Sequence, residues 1–166
     1  MKRRAFLARG LSASVLCFIA GCSALPPEPG QKPGEVPIWT GRLALNLASE
    51  PPQSFFASFE LKGTASAGEL TLTSPLGSVV AAMLWSPGEA TLRTGQQSQP
   101  FDSMESLTRH VTGAALPVHA LFDWLDGINT AGAGWQADLS RLDLGRLVAT
   151  RMQPMPAAEL KLILDR

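Results

Sequence analysis

From Trp39 onward, apolar residues recur at every second position in run after run, and this period of two commits the chain to β-strands. Leu43, Leu45 and Leu47 share one face, opposite Arg42, Ala44 and Asn46. Glu50-Pro51-Pro52 then turns the chain, and Phe55, Ala57, Phe59 and Leu61 alternate with Phe56, Ser58, Glu60 and Lys62. Small residues from Gly63 to Gly68 predict a hairpin turn into Leu70 and Leu72, and Ser74-Pro75-Leu76-Gly77 predicts another. Val79 to Trp85 is a nearly all-apolar strand, stopped at Pro87-Gly88, and Ala90 to Thr94 is a shorter one. Strand character returns at Trp135 to Leu139, at Leu144 to Thr150, and in the alternation of Leu160, Leu162 and Leu164. Short turns between such runs specify an antiparallel meander.

Two segments break the period. Asp102 in the cap position with Glu105 three residues on resembles a capping box. Behind it Met104, Leu107 and Val111 fall on one helical face, and Gly113 supplies a stop. Pro117 opens a second helix, in which Val118, Leu121, Phe122 and Leu125 recur at helical spacing beside Trp124 before Gly127. Gly132-Ala133-Gly134 reads as a flexible stretch before the last strands. The predicted class is mainly β with short helices: one antiparallel sheet curled over two helices.

The N-terminus predicts export. Lys2, Arg3, Arg4 and Arg9 precede an apolar run from Leu11 to Ala20, too short to span a bilayer that needs about 20 apolar residues. Ile19-Ala20-Gly21-Cys22 resembles a lipobox, which makes residues 1–21 a lipoprotein signal peptide and Cys22 the lipidation site. An ordinary cleaved signal with a chance cysteine is the alternative. Arg3-Arg4-Ala5-Phe6-Leu7 fits a twin-arginine export signal as well as a plain cationic start. Residues 22–37, with Pro26, Pro27, Pro29, Pro33 and Pro37, read as a proline-rich tether, leaving 38–166 as the folded domain.

Removal of residues 1–21 takes four of the fourteen basic residues and no acidic one, so the mature chain is mildly acidic and has no electrostatic footprint for nucleic acid. Cys17 leaves with the signal and Cys22 is acylated, which excludes a disulfide and a cysteine metal site. His110 and His119 have no metal-spaced partner, Asp123 and Asp126 read as a solvated helix face, and no G-x-S-x-G elbow or dinucleotide loop is present. The pattern contains no catalytic constellation, and no cofactor is expected. What it contains instead is apolar surface in excess, Val79 to Trp85 being apolar on both faces. That surplus fits either a well-filled core or a curved sheet enclosing an apolar pocket.

The blocks Trp39-Thr40-Gly41-Arg42-Leu43-Ala44-Leu45, Phe55-Phe56-Ala57-Ser58-Phe59 and Leu70 to Gly77 resemble the LolB family of outer-membrane lipoprotein receptors. So do Gly113-Ala114-Ala115-Leu116-Pro117-Val118 and Leu121-Phe122-Asp123-Trp124-Leu125-Asp126-Gly127, in the right order up to about Trp135. The resemblance implies an antiparallel, incomplete β-barrel, lidded by helices, around a hydrophobic cavity for acyl chains. It implies a monomer without covalent chemistry that accepts acylated lipoproteins from the periplasmic carrier LolA and places them in outer-membrane lipid. Leu76 carries over to the leucine of the family's protruding loop, linked to membrane insertion, and Trp124 to a cavity-lining tryptophan. Leu43, Leu45, Phe55, Phe59, Leu70, Leu72, Met83, Leu121 and Leu125 are further candidates for the lining. Ser23 fits outward sorting, and Arg42, Lys62 and Arg93 are candidates for a carrier-facing basic surface. The alternative is a scaffolding outer-membrane lipoprotein whose helices simply fill a closed core.

Overall fold

The computed structural model describes residues 36–165. The expected signal peptide, Cys22 and Ser23 lie outside the described residues. Six strands come first: β1 (Ile38–Leu47), β2 (Gln53–Gly63), β3 (Gly68–Thr73), β4 (Val79–Ser86), β5 (Glu89–Thr94) and β6 (Gln97–Phe101). Helices α1 (Met104–Thr112) and α2 (Val118–Leu125) follow, then β7 (Trp135–Asp138), a 3-10 turn (Leu142–Leu144), β8 (Arg146–Arg151) and β9 (Ala158–Leu164). All nine strands form one antiparallel sheet in the order β6-β5-β4-β3-β2-β1-β9-β8-β7. The two ends, β6 and β7, do not pair with each other, so the curled sheet stays an incomplete barrel.

Alternation sets the inner face as expected. Leu45, Leu47, Ala57, Phe59, Leu61, Leu72, Met83, Leu147, Leu160 and Leu162 are buried in a single core with Trp85, Phe122, Trp124 and Trp135. The all-apolar fourth strand is not buried on both faces. Ala81, Met83 and Trp85 point inward, whereas Val79 and Val80 are exposed at a register shift in which Val80 is the extra residue between the Leu72–Ala81 and Thr73–Val79 pairs. Such a bulge adds a residue to one strand and re-aims its neighbours.

The hairpin at Gly63–Gly68 closes with a Thr64 N–H bond to the Ala67 carbonyl at 2.8 Å. One strand has no counterpart in the apolar pattern. β6, Gln-Ser-Gln-Pro-Phe, is an exposed edge strand, where no core face imposes alternation and Pro100 is tolerated. The first and last long strands meet: Leu43 pairs with Leu162 and Leu45 with Leu160. Gly41 makes this possible, because a Cβ there would lie 2.1 Å from the Ile163 carbonyl oxygen.

The helix caps differ in detail from the sequence reading. Ser103, not Asp102, caps α1, its hydroxyl accepting from the Ser106 N–H at 3.1 Å, because the helix starts one residue later. Gly113 ends α1 in the left-handed region, donating to the Arg109 carbonyl. Phe122 of α2 packs edge-on against Trp39 and Trp85, with centroids 5.4 and 6.2 Å apart. The 132–134 segment is packed rather than free: a Cβ on Gly134 would meet the Gln153 carbonyl at 1.8 Å. Every buried residue among the described ones lies between Gly41 and Leu162, and the chain from Gly34 onward is a compact unit with its own core.

Candidate functional site

In a meander, alternate turns fall at the same end. Residues 48–52, 74–78 and 95–96 therefore share one end of the sheet, and 152–157 joins them, since the Ala48 N–H donates to the Ala157 carbonyl at 2.8 Å. An apolar cavity of about 110 Å³ opens toward this end, well above the room one water needs. Strand residues supply its wall: Leu43, Leu45 and Leu47 from β1, Phe55 from β2, Leu70 and Leu72 from β3, Met83 from β4 and Leu160 from β9. Thr108, Val111 and Thr112 of α1, with Leu116, form the cover, and Gln53 and Ser54 border it. Phe55 and Val111 are both partly exposed, which marks the opening.

The cover is held by hydroxyls whose bonds are satisfied locally. Thr108 is 2% exposed; its Oγ1 donates to the Glu105 carbonyl at 3.1 Å and accepts from the Leu116 N–H at 3.1 Å. Thr112 Oγ1 lies 2.8 Å from both the Thr108 and Ala114 carbonyls and accepts from the Ala114 N–H. Two threonines that line the cavity thus fasten the linker between the helices. Trp135 adds a tie, its indole N–H donating to the Ala115 carbonyl at 2.9 Å.

Six of the residues singled out in the sequence line the cavity: Leu43, Leu45, Phe55, Leu70, Leu72 and Met83. Phe59, Leu121, Trp124 and Leu125 do not. Phe59 faces inward but sits further along β2, opposite Leu72 and Gly41, within the filled part of the core. Trp124 is fully buried, with its indole N–H bonded to the Thr130 carbonyl at 2.8 Å, and Leu121 and Leu125 pack with it. The α2 helix plugs one part of the barrel and α1 covers the other. Thr108, Thr112 and Leu116 are lining residues that apolar periodicity missed, whereas Val111, Leu47 and Leu160 lay in the apolar pattern without being singled out for the lining. The only signal for the first three was the position of Thr108 four residues after Met104, on the inward stripe.

Leu76 sits at the tip of the 74–78 turn, closed by the Gly77 N–H to the Ser74 carbonyl at 2.9 Å, and is 94% exposed. Val79 and Phe56 are exposed close by, at 60% and 63%. Arg42, Lys62 and Arg93 do not ring the mouth. They lie on the outer face of β1, β2 and β5, and Lys62 is paired with Glu60, which holds its ammonium pKa above the ordinary lysine value. Among the described residues no group of three or more His, Cys, Asp or Glu is placed to hold a metal, and no helix is long and apolar enough to cross a membrane.

A half-open β-barrel, covered by helices and organised around an apolar interior, is the class of protein that this fold and cavity define. Its sequence matches the family model described as outer membrane lipoprotein LolB over residues 39–155. The chain belongs to that family, whose members are lipoprotein-localisation factors of the outer membrane. It is 30% identical to the outer-membrane lipoprotein LolB of Bordetella petrii, with 90% of this chain and 88% of the relative aligned. The LolB of Chromobacterium violaceum is 32% identical, over 78% of this chain and 73% of the relative, and that of Dechloromonas aromatica 31%, over 78% and 68%.

Proposed function

We propose that this protein accepts acylated lipoproteins from the periplasmic carrier LolA and delivers them into the outer membrane, holding their acyl chains in the apolar cavity without covalent chemistry. The observation that carries this reading is the shared position of the cavity opening and the Leu76 turn at one end of the sheet. A chain leaving the mouth emerges beside a side chain that has no partner but an apolar one. Each methylene moved out of water contributes about 0.8 kcal/mol, so transfer from carrier to cavity to bilayer runs downhill without fuel wherever apolar contact improves. Acylation of Cys22 tethers the body to the membrane through residues 22–37, and Ser23 permits outward sorting. The working unit is a monomer. The partly exposed Phe55 and Val111 at the opening argue against a scaffold with a closed core.

The test is transfer in vitro. A carrier loaded with a labelled lipoprotein is mixed with this protein, and the label is followed by pull-down and then into liposomes. Movement onto the protein is expected, and its absence with an active carrier would refute the receptor role. The Leu76→Glu variant should accept cargo normally but insert it at least about tenfold more slowly, since a charge at the lipid surface opposes burial. An unchanged insertion rate removes the role assigned to Leu76.

A further inference from the structure

Arg151 is the only charged side chain buried among the described residues, at 2% exposure. It ends β8 on the inner face, after Leu147 and Ala149, both of which belong to the core. The register sets it between Trp135 on β7 and Ala158 on β9, and Ala158 faces Leu47 on β1, a residue of the cavity wall. No carboxylate pairs with Arg151 among the described residues. Its Nη2 donates to the Pro156 carbonyl at 2.9 Å, its guanidinium lies 5.5 Å from the Trp135 ring centroid, and its Nε–H has no acceptor. Burial depresses its pKa first, and the positive charge of Arg109 adds to that. A buried cation without an anion is costly, and an orphaned donor calls for an explanation.

A groove supplies the approach. Arg151 lines it with Met152 and Glu159 on one side and Leu47, Gln53 and Ser54 on the other; these last three also border the apolar cavity, and the Glu159 carboxylate is already paired with Lys161 and accepts from Asn46. We propose that Arg151 is the anion-binding end of this cavity, so that cavity and groove together take an acyl chain whose head is a carboxylate or phosphate. The inference rests on the acyl-chain reading of the cavity. The chain lies among the leucines, and the head oxygen accepts from Nε–H and competes with the neutral Pro156 carbonyl for Nη2. A charge-assisted bond is roughly twice as strong as a neutral one, and low local dielectric strengthens it further. A cargo whose acyl groups hang from neutral esters and amides gains less at this point, so the groove selects an anionic amphiphile over it.

The body from residue 34 to 166, which holds the whole core, is titrated calorimetrically with three single-chain probes below their micelle concentrations. Oleate carries a carboxylate, lyso-oleoyl-phosphatidylglycerol a phosphate, and mono-oleoylglycerol no charge. At least one anionic probe should bind about tenfold or more tighter than the neutral one, the size expected when a charged acceptor replaces a neutral one. The preferred anion identifies the head. Arg151→Met should abolish the preference and leave mono-oleoylglycerol affinity unchanged, while Arg151→Lys should keep part of it. Equal affinity for all three probes, or a preference that survives Arg151→Met, overturns the proposal and leaves Arg151 as a staple for residues 152–157. Failure of every probe, the neutral one included, sinks the acyl-chain reading itself. If Arg151→Met does not fold, the Arg151 Nε resonance of the unaltered body decides: a shift with an anionic probe but not with mono-oleoylglycerol supports the site, and no shift removes it.

Discussion

Leu76 and Thr108 mark the two extremes of what a single side chain contributes here. A leucine left 94% exposed at a turn, as Leu76 is, forfeits the stabilisation of about 1.5–3 kcal/mol that burial would bring. Its value lies outside the fold, in what it meets there. Thr108 is the reverse case, with both its donor and its acceptor capacity used to hold the cover of the cavity. Thr108→Val keeps shape and volume but leaves the Leu116 N–H without its acceptor. It should cost about 1–3 kcal/mol, read as a lower denaturation midpoint with an unchanged denaturant slope. A loss below a few tenths of a kcal/mol would show that water takes over the Leu116 N–H and that the cover is not fastened by this hydroxyl.

Among the elements, β9 decides the architecture, because it joins β8 and β7 to β1. Its approach to β1 depends on a glycine. With a Cβ 2.1 Å from the Ile163 carbonyl oxygen, Gly41→Ala must push the two strands apart at one end of their ladder. Backbone, unlike a flexible side-chain tip, cannot step aside cheaply. The variant should lose about 2 kcal/mol or more, seen as a fall in Tm of several degrees, with hydrogen exchange accelerating first in β9. Unchanged exchange in β9 would mean that β1 and β9 adapt by sliding. The same junction explains why β9 reads so clearly as a strand: Ala158, Leu160 and Leu162 face the core while Glu159 and Lys161 pair with each other on the outside. β6 turns only Phe101 toward the core, and its otherwise polar sequence carries no trace of its role as an edge.

At the scale of the whole molecule, the sheet has more inner surface than its helices fill. Trp124 and Phe122 of α2 plug the part around Trp39 and Trp85, and α1 bridges the rest without filling it. If that unfilled part is the acyl site, occupying it with protein must exclude the ligand. Leu70→Trp projects an indole into the cavity and should weaken binding of a fluorescent fatty acid about tenfold or more. Overpacking limits the accompanying stability loss to about 1–3 kcal/mol. Full binding by a folded Leu70→Trp protein would place the acyl chain elsewhere. The body should lose stability steeply, read as a large fall in Tm, if residues 158–166 are removed, because β9 alone joins β8 and β7 to the rest of the open sheet.

The amino-acid order by itself determined the strands that have a wet and a dry face and the two helices with their stops. Each of these is a local consequence of period, cap or turn chemistry. It also carried enough of the family pattern to anticipate an incomplete barrel and six of the residues that line the cavity. The tertiary structure alone decided which inward residues meet empty space and which meet one another. Phe55 and Phe59 sit on the same face of β2 with the same alternation, yet only Phe55 reaches the cavity, because α2 fills the barrel beside one and α1 only spans it beside the other. Alternation tells a residue's face, but not what stands opposite it across the barrel. The same limit hid Arg151, which as a residue type reads as surface and is buried because β7, β9 and the 152–157 turn close around it.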